Sequence, residues 1–170
     1  MNPNYEAIKQ SGITFKQWLK STPLPEEQSP LPWDLTINYL PIHVVRQKFD
    51  IMEEVFGAVV EQVDVTAGAI NCMDTKDTCF WACVKFIVYH DDFKGGKKTF
   101  CGTASFLRGQ YQLGWAYTQI AESLATTRAF SKEYEQFGKG LNKEIESIEN
   151  LKSPKDKKQP DAIKNTIKGL

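Results

Sequence analysis

Two runs rich in β-branched and aromatic residues, CFWACVKFIVY from Cys79 to Tyr89 and TFCGTASF from Thr99 to Phe106, flank the segment HDDFKGGKK. Side chains of this kind lose rotamer freedom in a helix and pack well on a pleated surface, so both runs read as strands. Gly95-Gly96 offers the positive φ angles of a tight turn, and the strands are expected to pair antiparallel around a basic tip. Such a hairpin has an apolar face that something else in the chain must cover.

The neighbouring segments supply the cover. Ala58 to Ile70, AVVEQVDVTAGAI, reads as a third strand, with Asn71 to Thr78 as the loop between it and the next. Pro41 is a helix-start signal, and IHVVRQKFDIMEEVF places Val45, Phe49, Met52 and Phe56 at helical spacing before Gly57, which suits a C-terminal cap. After Arg108-Gly109 a long helix is expected from about Trp115, with Tyr117, Ala121, Leu124, Tyr134, Phe137 and Leu141 recurring at threes and fours and closing on Phe137-Gly138-Lys139-Gly140. Ala121, Ala125 and Ala129 form a small-residue stripe that permits close approach to the sheet. The expected fold is α+β: a helix, a three-stranded antiparallel sheet and a long helix, a β-β-β-α core over residues 39–149.

On either side of this core the composition changes. In the arm, residues 1–38, TFKQWLK is expected to form a short helix opening at Thr14, but Pro23, Pro25, Pro30 and Pro32 break any continuation, and the arm is not expected to hold a core. Its Trp18 and Trp33, with Tyr39, would pack onto the domain or a neighbouring subunit. Residues 150–170 read as a flexible basic tail, in which six lysines from 151 onward face only Asp156 and Asp161. Lys+Arg and Asp+Glu both number 21, so total charge implies no partner. The first 150 residues carry 15 basic against 19 acidic residues, and any phosphate-binding surface there must be local. The N-terminus has neither a basic n-region nor an apolar h-region, and no apolar run reaches membrane-spanning length. The expectation is a soluble intracellular protein with reduced cysteines and no membrane contact.

Catalytic constellations are sparse. Cys72, Cys79, Cys83 and Cys101 are soft metal ligands by type, but their spacings match no common zinc module, and buried free cysteine is the default. His90-Asp91-Asp92 would suit a divalent ion, yet stands beside a glycine turn where solvated polar residues are ordinary. Only His43 and His90 exist, without a nucleotide-binding or nucleophile-elbow motif. Glu53-Glu54 and Glu133/Glu135 read as solvated helix faces. No metal or cofactor is implied.

Positive residues cluster better. Lys94, Lys97 and Lys98 crowd the hairpin, Arg108 ends the next strand, and Arg128 and Lys132 are one turn apart on the last helix. Such residues follow a phosphate backbone without needing base geometry. Tyr111 and Trp115, near Arg108, would stack on unpaired bases if exposed; packing is the plainer reading of each.

Tyr39-Leu40-Pro41, Val45-Arg46 and Val55-Phe56-Gly57, then Ala121-Glu122-Ser123-Leu124-Ala125, Arg128-Ala129 and Phe137-Gly138, resemble motifs of the Rad-fifty-two-like single-strand annealing proteins, which include a eukaryotic recombination mediator and phage relatives. The resemblance covers about residues 39 to 142. It implies a β-β-β-α core, ring or filament homo-oligomers, and single-stranded DNA held in a basic groove with its bases free to pair. It places Arg128 at the arginine of the Arg-Ala motif and Lys97 and Lys98 at a basic hairpin. The family has about five positions from that arginine to the Phe; here Arg128 to Phe137 is nine, an extra helical turn, so either Arg128 or Lys132 is the equivalent residue.

The expectation is therefore a non-enzymatic protein that binds single-stranded DNA through Arg46, Lys48, Lys97, Lys98, Arg108, Arg128 and Lys132, and anneals complementary strands in recombination or repair. Its tail would tether DNA or recruit a replication or single-strand-binding protein. The competing expectations are a small-ligand enzyme using the sheet face with Cys83 or His90 as the reactive group, and a structural adaptor. For Arg128 the alternative to phosphate contact is an ion pair with an acid such as Glu122.

Overall fold

Gly95 and Gly96, at φ 77° and 73°, turn the chain between two strands. The computed structural model describes residues 3–31, 34–73, 77–108 and 116–141. Its elements are α1 (Pro3–Gln10), α2 (Phe15–Leu19), β1 (Ser29–Leu31), β2 (Asp34–Tyr39), α3 (Ile42–Glu54), β3 (Val59–Cys72), β4 (Asp77–Tyr89), β5 (Lys97–Leu107) and α4 (Tyr117–Ser131), with short 3-10 turns between some of them. The protein is α+β, with an antiparallel sheet in the order β3-β4-β5 and a separate β1-β2 pair.

The hairpin register runs from Tyr89↔Lys97 to Cys79↔Leu107. With a side-chain period of two, this puts Ala82, Val84, Phe86 and Val88 of β4 on one face with Phe100, Ala104 and Phe106 of β5, all buried. On the opposite face Cys83, Lys85, Tyr89, Lys97, Cys101, Thr103 and Ser105 are exposed. The nearly continuous apolar reading of β4 thus resolves into one packed face and one open face. β3 pairs with β4 from Val59↔Tyr89 to Cys72↔Asp77, with an irregularity between Gln62 and Asp64. The strands run into the segment expected to be a loop at Asn71 to Thr78.

α4 lies on the packed face through Ala121, Ala125 and Ala129, each at most 3 % exposed. The small-residue stripe meets a matching gap, since a Cβ built on Gly102 would stand 1.9 Å from the Ala125 carbonyl oxygen. In α3, Val45 and Met52 are buried as the spacing requires, and Gly57 takes a positive φ of 68° after the helix.

Two expectations need correction. The last helix does not run to Leu141: it stops at Ser131, Tyr134 is extended, and a 3-10 turn at Glu135–Phe137 ends on left-handed Gly138. That break lets Phe137 turn back into the core, where its ring centroid lies 4.9 Å from Phe130, 5.9 Å from Phe49 and 6.4 Å from Trp18. Nor is the arm outside the core. Tyr5, Phe15, Trp18 and Leu19 are buried, and Phe15 packs 5.3 Å from Phe56 and 5.7 Å from Phe93. The prolines break helices but do not prevent the chain from lying across α3 and the hairpin. The short helix does open at Thr14, whose hydroxyl accepts from the Gln17 N–H while the Gln17 side chain accepts from the Thr14 N–H, a reciprocal cap. Trp18 packs as expected, whereas Tyr39 is exposed. Trp33, Tyr111, Trp115 and the tail lie outside the described residues.

Candidate nucleic-acid interface

The seven candidate cations fall into three environments. Lys48 is buried, 1 % exposed, and cannot reach a phosphate from there. Its ammonium donates to Glu27 Oε1 at 2.8 Å and to Gln136 Oε1 at 2.5 Å, and the Gln136 amide donates to the Ser21 hydroxyl at 2.8 Å. The other Glu27 oxygen accepts from the Leu24 N–H at 2.8 Å. Burial pushes the Lys48 ammonium below its ordinary range, and Glu27 only partly restores it. Lys48 is thus a polar pin joining arm, α3 and the turn after α4, which corrects the expectation that it contacts DNA. A signal for this existed in the sequence: position 48 is three past Val45 and four before Met52, on the buried stripe of the helix.

Lys98 is already neutralised. It makes an ion pair with Glu133, donates to the Tyr134 hydroxyl at 3.2 Å, and stands 5.0 Å from the centre of the Tyr134 ring. Burial pushes its pKa down, but the hydrogen bonds to Glu133 and Tyr134, with the attraction of those groups, outweigh that and hold it above the ordinary value.

The remaining cations are exposed, but not together. Arg46 lines a groove of about 660 Å³ between α3, β3 and α4, in company with Glu53 and Glu122. Two carboxylates beside one guanidinium make a poor phosphate site. Arg108 lies at the end of β5, 6.0 Å from the centre of the Tyr117 ring. Lys97, Arg128 and Lys132 form the third of these exposed groups. Arg128 donates to the Thr103 carbonyl at 3.4 Å, which brings it to the side of β5 not paired with β4. Lys97 and Lys132 are exposed and are chain neighbours of Lys98 and Glu133, so the Lys98–Glu133 pair brings them to the same end of β5. Glu122, which lines the groove on the other flank of α4, makes no ion pair with Arg128.

The open sheet face adds two residues that sequence reasoning did not single out. Lys85 is exposed opposite Cys101, and Trp81 stands two residues before Cys83 on the same face, half-buried. The signal was their shared parity in β4, with Trp81, Cys83 and Lys85 at every second position.

The groups named for a competing chemistry are accounted for differently. His90 Nε2 faces the Phe56 carbonyl at 3.2 Å and so carries the proton, while Nδ1 accepts from the Asp92 N–H at 3.1 Å. The Asp92 carboxylate in turn accepts from the Lys16 N–H at 3.3 Å. These bonds tie the hairpin to α2 and to the end of α3. All four cysteines are free, and among the described residues no three His, Cys, Asp or Glu side chains are grouped to hold a metal ion. Among the described residues no helix is long and apolar enough to cross a membrane. No known family model matches the chain, and no curated protein matches its sequence.

Proposed function

We propose that the protein binds single-stranded DNA along β5 and the C-terminal end of α4, and that it anneals complementary strands as a homo-oligomer in recombination or repair. The observation that carries this reading is the approach of Lys97, from the open face of the sheet, and of Arg128 and Lys132, from α4, to the unpaired edge of β5, each exposed and without an acidic partner among the described residues. From Lys97 to Thr103, where Arg128 is anchored, the strand advances roughly 20 Å at about 3.3 Å per residue, enough for several consecutive phosphates. Lys98 supports the strip indirectly: by pairing with Glu133 it removes the negative charge that would otherwise stand next to Lys132. The order of helix, three strands and helix that prompted the family resemblance is consistent with the same reading.

The chemistry is non-covalent. Neutralising phosphates lowers the repulsion between two strands, and bases held outward let a second strand test its register. No bond is made or broken. Native-mass measurement with and without a short oligonucleotide, combined with a titration over salt concentration, tests assembly and ligand class together. Oligomers that take up oligonucleotide are expected, with a log-log salt slope of roughly −0.7 for each phosphate neutralised. Monomers that bind nothing, or affinity indifferent to salt, would overturn the proposal.

A further inference from the structure

On the open face of the sheet a hollow of about 210 Å³ lies between β4 and β5, lined by Trp81, Cys83, Thr103 and Ser105, with Arg128 reaching it from α4. Apart from Trp81 and Arg128 the side chains that line it are small. Trp81 leans the other way, over Gly68 on β3, where a Cβ would meet three of its indole atoms at 3.0–3.1 Å. The indole therefore packs on Gly68 and, half-buried, also borders the hollow. Among the described residues Trp81 has no ring partner and its N–H no acceptor. Lys85 is exposed four residues further along the strand, on the same face. Pockets that take drug-sized molecules run to roughly 300–1,000 Å³, so this one has room for a single planar ring system.

From this juxtaposition we infer that the hollow is a nucleobase subsite: one base of a bound single strand stacks against Trp81, Arg128 holds the adjoining phosphate, and the Thr103 and Ser105 hydroxyls meet the base edge. The inference rests on the single-strand-binding reading and gives it a contact that charge alone does not provide. An aromatic surface accepts any base, because every base has a π face, and a hydroxyl serves as donor or acceptor. The subsite therefore adds affinity for bases as a class while leaving them unsorted. No carboxylate lines the hollow, unlike the groove beside Arg46.

The test compares a base-bearing oligonucleotide with an abasic one carrying the same number of phosphates. Trp81→Ala is expected to weaken binding of the base-bearing strand about tenfold, to leave the abasic strand nearly unaffected, and to leave the log-log salt slope unchanged. Trp81→Phe should fall between. Ser105→Leu, which fills the hollow while keeping the indole, should reproduce the base-specific loss, and decides the matter if Trp81→Ala does not fold. Equal losses on both strands, or no loss on either in a protein whose wild type binds, would overturn the subsite and leave the wider proposal standing. A wild type that binds neither strand would remove both.

Discussion

Gly102 of β5 lies against the main chain of Ala125 in α4, so close that a Cβ at residue 102 would stand 1.9 Å from the Ala125 carbonyl oxygen and 2.7 Å from the Ala129 nitrogen. Neither atom belongs to a side chain that can swing away. Gly102→Ala is therefore expected to lift α4 off the sheet, at a cost at or above the upper end of the 1–3 kcal/mol usual for overpacking, or about 3 kcal/mol. At Gly68 the nearest atoms belong to the Trp81 side chain at 3.0 Å, and Gly68→Ala should cost distinctly less. Paired denaturant melts check both. A mild Gly102→Ala would mean that helix and sheet are not held at this distance.

The Lys48–Glu27 pair offers a second measurement. Removing one partner of a buried pair leaves the other uncompensated, so Lys48→Ala is expected to cost about 3 kcal/mol, whereas the double change Lys48→Met/Glu27→Gln should cost much less. Any DNA affinity of the folded double variant should match wild type. A loss of affinity in a fully folded protein would return Lys48 to the binding surface.

Lys48 and Lys98 are shifted in opposite directions, and the alkaline stability profile should show both. The folded-state pKa of Lys98 is raised, so its stabilisation is complete below the ordinary lysine value of 10.5 and is lost as pH climbs through the higher folded value. That of Lys48 is lowered, so between its folded value and 10.5 the unfolded chain binds more protons and this group's contribution to stability rises with pH. Melting temperatures of wild type, Lys98→Met and Lys48→Met from neutral pH to above 10.5 separate the two. If Lys98→Met loses stability with pH as steeply as wild type at the alkaline end, the Glu133 pair is not formed.

For DNA binding, Arg128→Ala and Lys132→Ala are each expected to weaken affinity by about 1 kcal/mol, roughly fivefold, with the salt slope shallower by about 0.7 per contact removed. The double variant should keep its oligomer mass and lose more annealing than either single. Lys98→Ala should also weaken binding, by freeing Glu133, and the added change Glu133→Gln should restore much of it. A double Arg128→Ala/Lys132→Ala variant that anneals at the wild-type rate would make this end of α4 purely structural.

Much of the architecture could be read from local chemistry. The sheet follows from the β-branched runs, the hairpin from Gly95-Gly96, and the seat of α4 from three alanines at intervals of four. What could not be read locally was decided by distant partners. The stop after Ser131 has no proline or glycine to announce it and depends on the pocket that receives Phe137. The β1-β2 pair runs through a proline-rich stretch that reads as irregular, with Pro30 itself in β1. The cation set was legible as a set, but not its division, because whether a lysine meets solvent, as Lys97 and Lys132 do, or a carboxylate, as Lys48 and Lys98 do, depends on what folds over it. The nine positions from Arg128 to Phe137 looked like an added helical turn; they are instead the end of the helix and the turn that follows.

The bond between Gln136 and Ser21 joins residues 115 positions apart. At ribosomal rates of roughly 5–20 residues per second, Ser21 is made about 6 to 23 s before Gln136 exists. Throughout that interval the segment bearing Phe15 and Trp18 lacks Phe137 and Gln136, the last-made parts of its resting place. The segment bearing Phe15 and Trp18 therefore reaches its final position only long after its own synthesis, and until then Trp18 lacks the ring of Phe137 against which it comes to rest.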